Sequence, residues 1–178
     1  MFTSTITTFG TKFKRWVRQV VRGAGFHGLA LAEHHLPAGE QVLHASRFLR
    51  KEGYVTSFQA AKLTQLGGTF GGTSISFKRH ISVGYAKPDW ADEFVRLKGL
   101  NWVGSIVRVH GAAILLITAY FTSGNAMNIN DTMFRQILAC KKGLGLETIV
   151  IGDFNATSQE ITEWGWPRLF GGFILKPK

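Results

Sequence analysis

The sequence has a single cysteine, Cys140, and few acidic residues. One cysteine cannot form a disulfide bond within the chain, so a reducing intracellular compartment is the simpler interpretation. Only 11 aspartates and glutamates accompany 21 lysines and arginines, which gives a formal net charge of +10 and an isoelectric point near 10.1. This excess of positive charge favours partners that carry phosphate, nucleic acid above all, although many small basic proteins are merely soluble cations.

Long hydrophobic segments are also missing. The longest apolar run, residues 112–121, is short enough for a buried strand, whereas a membrane-spanning helix needs about 18 or more apolar residues. Residues 1–16 turn basic early and contain no apolar core, which argues against a secretory signal peptide. We therefore expect an intracellular protein without a transmembrane helix, and the nucleus is a candidate location.

The composition is typical of one globular domain. Hydrophobic residues make up 45% and charged residues 18% of the 178 residues, which are ordinary values for a folded protein. A chain of this length can bury a core without cross-links. No internal repeat, low-complexity tract or linker divides the sequence, so residues 1–178 are predicted to form a single domain.

Strand and helix patterns alternate along the chain, which predicts an α/β or α+β fold. Predicted strands cover residues 2–9, 28–36, 54–59, 73–79, 105–110, 112–121 and 147–151. Predicted helices begin near Lys12, at Pro37, and after Asn128 or Asn130 as the N-cap, and each ends near a glycine. Residues 67–72 form a glycine-rich turn that leads into the strand at 73–79.

One predicted strand ends in a polar motif, Gly152-Asp153-Phe154-Asn155. If the extended conformation continues, Asp153 and Asn155 point to the same side and Phe154 packs on the other. An aspartate can accept a proton from water or bind a metal, and an asparagine can hydrogen-bond a phosphate oxygen without adding negative charge. Both residue types are also common in ordinary turns, and the spacing alone favours that plainer interpretation.

Another predicted strand, residues 28–36, is apolar until Glu33. A carboxylate at the end of a buried strand is costly unless it is solvated, paired or bound to a metal. Mg²⁺ often takes one or two protein carboxylates, with waters and substrate phosphate oxygens as its other ligands. Glu33 fits that requirement, although an isolated glutamate at a strand exit is more often just partly exposed.

Zinc and nucleotide sites are less well supported. His34 and His35 are adjacent, so a strand would point them in opposite directions, and neither paired cysteines nor a His-Glu-x-x-His spacing accompanies them. Zinc is therefore not expected. The glycine-rich stretch 67–72 lacks the Gly-Lys-Ser/Thr ending of a nucleotide-binding P-loop, and a flexible strand entry explains it better.

The order of these motifs is similar to that of a known superfamily. Along the chain follow an apolar strand ending in Glu33, the strand entry Gly71-Gly72-Thr73, the strand ending in Tyr120, and Gly152-Asp153-Phe154-Asn155. This succession resembles the endonuclease/exonuclease/phosphatase superfamily, most closely the endonuclease domains of non-LTR retrotransposons and their domesticated relatives. The resemblance covers essentially all 178 residues. It implies a four-layered α/β/β/α sandwich of mixed sheets flanked by helices, and hydrolysis of phosphodiesters, DNA above all, with Mg²⁺ or Mn²⁺.

The resemblance also implies roles for individual residues. Glu33 matches the metal-binding glutamate, and Asp153 matches the aspartate that orients or deprotonates the attacking water. Asn155 matches the asparagine that holds the scissile phosphate, and Tyr120 matches the tyrosine beside that phosphate. Outside this context, an aromatic residue packing at a strand edge would explain Tyr120.

Departures from the superfamily's pattern bear on activity. Thr5 stands where the superfamily has an asparagine near the metal, and a hydroxyl lacks the amide's paired donor and acceptor. After Asn155 the sequence contains no aspartate and no histidine, and one positioned donor is often worth ~10²–10³ in rate. We therefore expect a domain that is incomplete at its C-terminus and an impaired endonuclease. The alternative is a non-catalytic remnant of retrotransposon origin that binds nucleic acid through its basic surface.

Overall fold

The computed structural model describes residues 2–5, 10, 14–15, 17–21, 25–81, 98–99, 101–124 and 127–175. Within them the strands are β1 (Phe2–Thr5), β2 (Gly28–Ala32), β3 (Tyr54–Gln59), β4 (Lys62–Leu63), β5 (Thr69–Phe70), β6 (Thr73–Lys78), β7 (Lys98–Gly99), β8 (Trp102–Val109), β9 (Ala112–Tyr120) and β10 (Glu147–Asp153). The helices are α1 (Glu40–Lys51), α2 (Met127–Leu144), α3 (Ser158–Glu163) and α4 (Trp166–Phe170), and a π-helical turn covers Val17–Val21.

Two sheets of mixed direction form the middle of the molecule. The first has the order β1-β2-β6-β3, in which β1 and β2 are parallel and β6 is antiparallel to β2 and β3. The second has the order β10-β9-β8-β7, in which β10 and β9 are parallel and the other pairs are antiparallel. Asp153 pairs with Tyr120 in this register, so β10 and β9 end side by side.

Apolar packing places both sheets between helices. β2 is buried along its whole length, and its leucines pack against the buried face of α1. Ile75 and Phe77 of β6 meet Val103 and Val107 of β8 between the sheets. The opposite face of β8 and β9 packs against α2, α3 and α4. The layers therefore run helix, sheet, sheet, helices, which confirms the predicted α/β/β/α sandwich.

The predicted strand 28–36 is too long. β2 ends at Ala32, because Glu33 and His35 both have left-handed backbone conformations, with φ of 57° and 56°. Such a backbone cannot continue a strand. The acidic side chain therefore lies just beyond the strand, in a segment whose shape is fixed by its neighbours.

Two of the predicted helix starts are also wrong. Pro37 lies outside α1 and forms a β-bridge with Ala61. Asn128 and Asn130 both lie inside α2, so neither is its N-cap. The Asn130 amide instead exchanges hydrogen bonds with the backbone of Thr122, at 2.9 and 2.8 Å. In both places a contact distant in sequence replaces the local capping role.

Other predicted elements are close to those observed. The strand at 54–59 is confirmed as β3, and the strands predicted at 73–79 and 112–121 each end one residue earlier than expected. β8 begins earlier and β10 runs later than predicted. Residues 6–9 and part of the helix predicted from Lys12 lie outside the described residues, while residues 14–15 and Val17–Val21 of that helix are helical. Within the described ranges, every helix is too short or too polar to cross a lipid bilayer.

Candidate active site

Glu33 follows the last residue of β2, in a backbone segment that is hydrogen-bonded to Gly71 and Gly72. The N–H groups of His34 and His35 donate to the carbonyl oxygens of Gly72 and Gly71, at 3.2 and 3.1 Å. These bonds fix the left-handed conformation of Glu33, which costs roughly 1–3 kcal/mol for a non-glycine residue. The Glu33 side chain is 26% exposed, so its carboxylate is partly desolvated yet accessible.

Tyr120, the last residue of β9, reaches across to the first sheet. Its hydroxyl donates a hydrogen bond of 3.1 Å to Oε1 of Glu33. Burial raises the pKa of the Tyr120 phenol, and the nearby carboxylates of Glu33 and Asp153 raise this pKa further. The hydroxyl therefore stays protonated near neutral pH and acts as a hydrogen-bond donor in the site.

Asp153 and Asn155 form a compact turn at the end of β10. The Asn155 N–H donates to Oδ1 of Asp153 at 3.0 Å, and the Asn155 amide nitrogen donates to the Phe121 carbonyl at 2.7 Å. Asn155 has a φ of 44°, so the predicted continuation of the extended chain is wrong at this residue. Phe154 packs as predicted on the other side, stacked on Phe121 at 5.0 Å.

Glycine is required where β10 approaches β9 most closely. A Cβ at Gly152 would overlap the carbonyl oxygen of Ala119. Because no side chain fits there, the strands stay in contact up to Asp153 and Tyr120. The glycine of the Gly-Asp-Phe-Asn motif thus positions the aspartate that follows it.

The predicted site residues come together from distant parts of the chain. The carboxylates of Glu33 and Asp153 both raise the pKa of the Tyr120 phenol, and the Asn155 side chain lies within hydrogen-bonding distance of its hydroxyl. Thr5 is paired in the parallel register with Ala32, which places its backbone beside the start of the Glu33 segment. The side chain of Thr5 lies outside what the structure describes.

The sequence motifs did not single out His35 and Asn101. His35 is half-buried, with Nε2 3.7 Å from Oε1 of Glu33. Asn101 is 2% exposed and left-handed, and its Oδ1 has no hydrogen-bond partner among the described residues. The carbonyl oxygen of Asn101 accepts from the Tyr120 N–H at 2.9 Å. Alternation along the predicted strand 28–36 puts residues 33 and 35 on one side, but the observed strand ends at Ala32, so this pattern gave no valid signal for His35.

His34, which lies between Glu33 and His35 in the sequence, is buried in the core. It has no exposed surface, and its Nδ1 accepts a hydrogen bond of 3.1 Å from the Leu36 N–H. Burial lowers the pKa of His34 to about 4. The ring is therefore neutral at physiological pH, and it anchors the segment that carries Glu33.

The donors in the site suit a hard divalent cation. The Tyr120 hydroxyl lies 3.1 Å from Oε1 of Glu33, and the carboxylates of Glu33 and Asp153 are both near enough to raise the pKa of the Tyr120 phenol. Mg²⁺ needs only one or two protein carboxylates when waters and phosphate oxygens complete its coordination. Within the described part of the chain, no group of three or more histidine, cysteine, aspartate and glutamate side chains could hold a metal. A site based on Glu33 fits an exchangeable divalent cation better than a tightly held structural ion.

Comparisons by sequence find no match: no protein-family model and no curated protein matches this chain. Comparisons by structure do. The endonuclease domain of TRAS1, a telomere-specific non-LTR retrotransposon, superposes with a TM-score of 0.66 at 15% identity, over 99% of this chain and 72% of that one. The 3′ phosphatase NExo from Neisseria, bound to a product DNA hairpin, gives 0.59 at 14% identity, over 94% and 68%.

A protein from Leptotrichia buccalis described as an endonuclease/exonuclease/phosphatase family member gives a TM-score of 0.59 at 10% identity, over 94% of this chain and 71% of that one. Identities this low establish shape and leave the chemistry to the residues of the site. The chain therefore has the endonuclease/exonuclease/phosphatase fold, as its motifs predicted.

Proposed function

We propose that this protein hydrolyses phosphodiester bonds in nucleic acid, with DNA as the favoured substrate and Mg²⁺ or Mn²⁺ as the cofactor. The supporting observation is the convergence of Glu33, Asp153 and Asn155 on the Tyr120 hydroxyl. The net charge of +10 adds an attraction for phosphate. The TRAS1 domain is an endonuclease and NExo was solved with product DNA, which agrees with this substrate class.

Glu33 is the proposed metal-binding residue. When bound, the divalent cation neutralises charge on the phosphate oxygens and helps to activate water. Glu33 contributes one partly desolvated carboxylate, oriented by the hydrogen bond from Tyr120. Thr5 is the proposed substitute for a first-strand asparagine beside this position.

Asp153, Asn155 and Tyr120 are the proposed catalytic residues. Asp153 orients the attacking water and accepts its proton. Asn155 uses one amide hydrogen for the Phe121 carbonyl and keeps another for a phosphate oxygen. The Tyr120 hydroxyl, whose one hydrogen bonds to Glu33 in the free protein, turns that hydrogen to the same phosphate when substrate is bound. These neutral donors stabilise the charge that develops on the phosphate in the transition state.

The expected rate is low. Thr5 stands where the resemblance implies an asparagine near the metal, and a hydroxyl lacks the amide's paired donor and acceptor. Each missing donor is often worth ~10²–10³ in rate. A supercoiled plasmid changes mobility after a single nick, which makes it a suitable substrate for so slow a reaction.

Nicking of supercoiled DNA tests the proposal. With Mg²⁺ present, Glu33→Gln and Asp153→Asn should each reduce the slow nicking by roughly 10²-fold or more. The matched control is Asp131→Asn on α2, a carboxylate that pairs with Arg135 at 2.6 Å, and it should nick like the wild type. Equal rates for the wild type and both site variants would overturn the proposal.

Nucleic-acid binding without hydrolysis is the second candidate function. It is favoured by the net charge of +10. Under this alternative, the wild type and Glu33→Gln bind DNA alike, and Mg²⁺ produces no nicking by either. Nicking that depends on Glu33 rejects it.

A further inference from the structure

We infer that His35 is a metal ligand together with Glu33, and that this pair prefers a divalent first-row transition-metal ion to Mg²⁺. The inference deepens the proposed function and rests on its metal site at Glu33. It adds a nitrogen ligand that the sequence motifs did not indicate, and it concerns which ion the site selects.

The hydrogen bond of the His35 ring determines which nitrogen has a free lone pair. Nδ1 lies 2.8 Å from the carbonyl oxygen of Thr69. A carbonyl oxygen can only accept, so Nδ1 carries the hydrogen and Nε2 of the neutral ring has the lone pair. Metal-binding histidines have this arrangement, with one ring N–H donated to a carbonyl and the other nitrogen bound to the metal. The ring is therefore oriented as a ligand through Nε2.

Nε2 also lies at a suitable distance from the Glu33 carboxylate. It is 3.7 Å from Oε1 of Glu33. Two ligand atoms, each about 2.1 Å from one ion, lie roughly 3 Å apart in octahedral coordination, so a small side-chain rotation brings both onto the same ion. The side chains of His35 and Glu33 are 24% and 26% exposed, which leaves room for waters or a phosphate on that ion.

The backbone holds the two side chains in this relation. The His35 N–H donates to the Gly71 carbonyl at 3.1 Å, and its carbonyl accepts from the Thr69 hydroxyl at 3.1 Å. His34, between the two ligands, is anchored in the core. The two side chains are thus held near each other before any ion binds, which reduces the ordering that binding requires.

A nitrogen ligand predicts the preference among ions. Mg²⁺ takes oxygen ligands and keeps several waters, whereas imidazole suits transition metals. For a given site, affinity rises from Mn²⁺ to Co²⁺. A charged His35 ring would instead form an ion pair with Glu33 and offer no lone pair, so the same contact without a metal role is the alternative to be tested.

Calorimetry of the full chain without nucleic acid tests the inference with Mg²⁺, Mn²⁺ and Co²⁺ as probes. Co²⁺ should bind most tightly and Mg²⁺ most weakly. His35→Gln should weaken Co²⁺ binding by about tenfold or more and change Mg²⁺ binding by less than about twofold. His44→Gln, which removes an exposed imidazole on α1, should change neither. Unaltered Co²⁺ affinity in His35→Gln overturns the inference.

Nuclear magnetic resonance of the wild-type imidazoles gives a second test that needs no variant. Among the 6 histidines, trace Mn²⁺ should broaden the His35 ring signals first. Selective broadening of another ring, or of none, overturns the inference. Co²⁺ binding through His35 without any nicking overturns the proposed function alone, because binding is measured without DNA. Nicking that persists while His35→Gln binds Co²⁺ normally overturns this inference alone.

Discussion

At the scale of single residues, unusual backbone conformations mark the candidate site. Among the described residues, those with positive φ other than glycine are Glu33, His35, Asn101, His110 and Asn155. His110 belongs to the tight turn between β8 and β9, whereas the others lie at strand ends near Tyr120. Left-handed residues are costly and persist where the surrounding structure holds them, which is common at functional sites. The left-handed backbone conformations thus support the same location for the candidate active site as the polar side chains do.

Gly72 lies where the segment that carries Glu33 packs closely against its neighbours. A Cβ at Gly72 would lie 2.6 Å from Cε1 of His34 and 3.1 Å from the backbone nitrogen of Ala61. Gly72→Ala should therefore lower the free energy of unfolding by roughly 2–4 kcal/mol, through left-handed strain and overpacking. Urea denaturation of the purified variant measures this change.

Gly67→Ala is the matched control for Gly72→Ala. Gly67 is also left-handed, with a φ of 77°, but a Cβ there meets nothing within 4 Å. Its substitution should cost about 1 kcal/mol from backbone strain alone. Equal losses of stability in both variants would contradict the close packing of Gly72 against His34.

At the scale of elements, α3 holds the loop that follows β10. Thr157 caps this helix: its hydroxyl accepts from the Glu160 N–H, and the Glu160 carboxylate accepts from the Thr157 N–H at 2.7 Å. The Thr157 backbone N–H is the main reason that the pKa of Glu160 is lowered. This reciprocal cap begins two residues after Asn155 and fixes where the polar turn ends.

Loss of the Thr157 cap should loosen this connection. Thr157→Ala removes the acceptor for the Glu160 N–H, and we expect about 1 kcal/mol less stability. Thermal unfolding compares it with Thr162→Ala, an exposed position whose hydroxyl bonds only within the helix, where the change should stay within about 0.5 kcal/mol. A Thr157→Ala variant as stable as the control would contradict the capping role.

At the scale of the whole molecule, the net charge of +10 bears on the proposed binding of nucleic acid. Long-range attraction to phosphate is screened by salt, whereas the fold itself depends on buried apolar contacts. Binding to DNA is therefore expected to be more sensitive to salt than stability is.

Fluorescence anisotropy of labelled duplex DNA measures this dependence. Between about 50 and about 200 mM salt, the logarithm of the affinity should fall linearly with the logarithm of the salt concentration, by about 0.9 for each phosphate contacted. Two duplexes of unrelated sequence should give the same slope, since backbone contacts do not depend on sequence. Retention of full affinity across this range would exclude phosphate contacts as the basis of binding.

Local patterns predicted the elements that depend on local properties. The strand at 54–59 follows from its β-branched and aromatic residues. Pro37 and Asn130 were wrongly placed because distant partners, Ala61 and Thr122, use the groups that a helix start would have used. Capping rules describe a helix alone and contain no information about such partners.

The sequence by itself determined the strands that lead to Glu33, Tyr120 and Asp153, though not where each strand ends, because period and residue type are local properties. The tertiary structure alone decided that these ends meet, since Tyr120 bonds to Glu33 across 87 positions of chain. It also decided that His34 is buried while His35 faces the carboxylate. The surroundings of Glu33 are formed by strands of two different sheets. No single stretch of the sequence contains all the residues that form them.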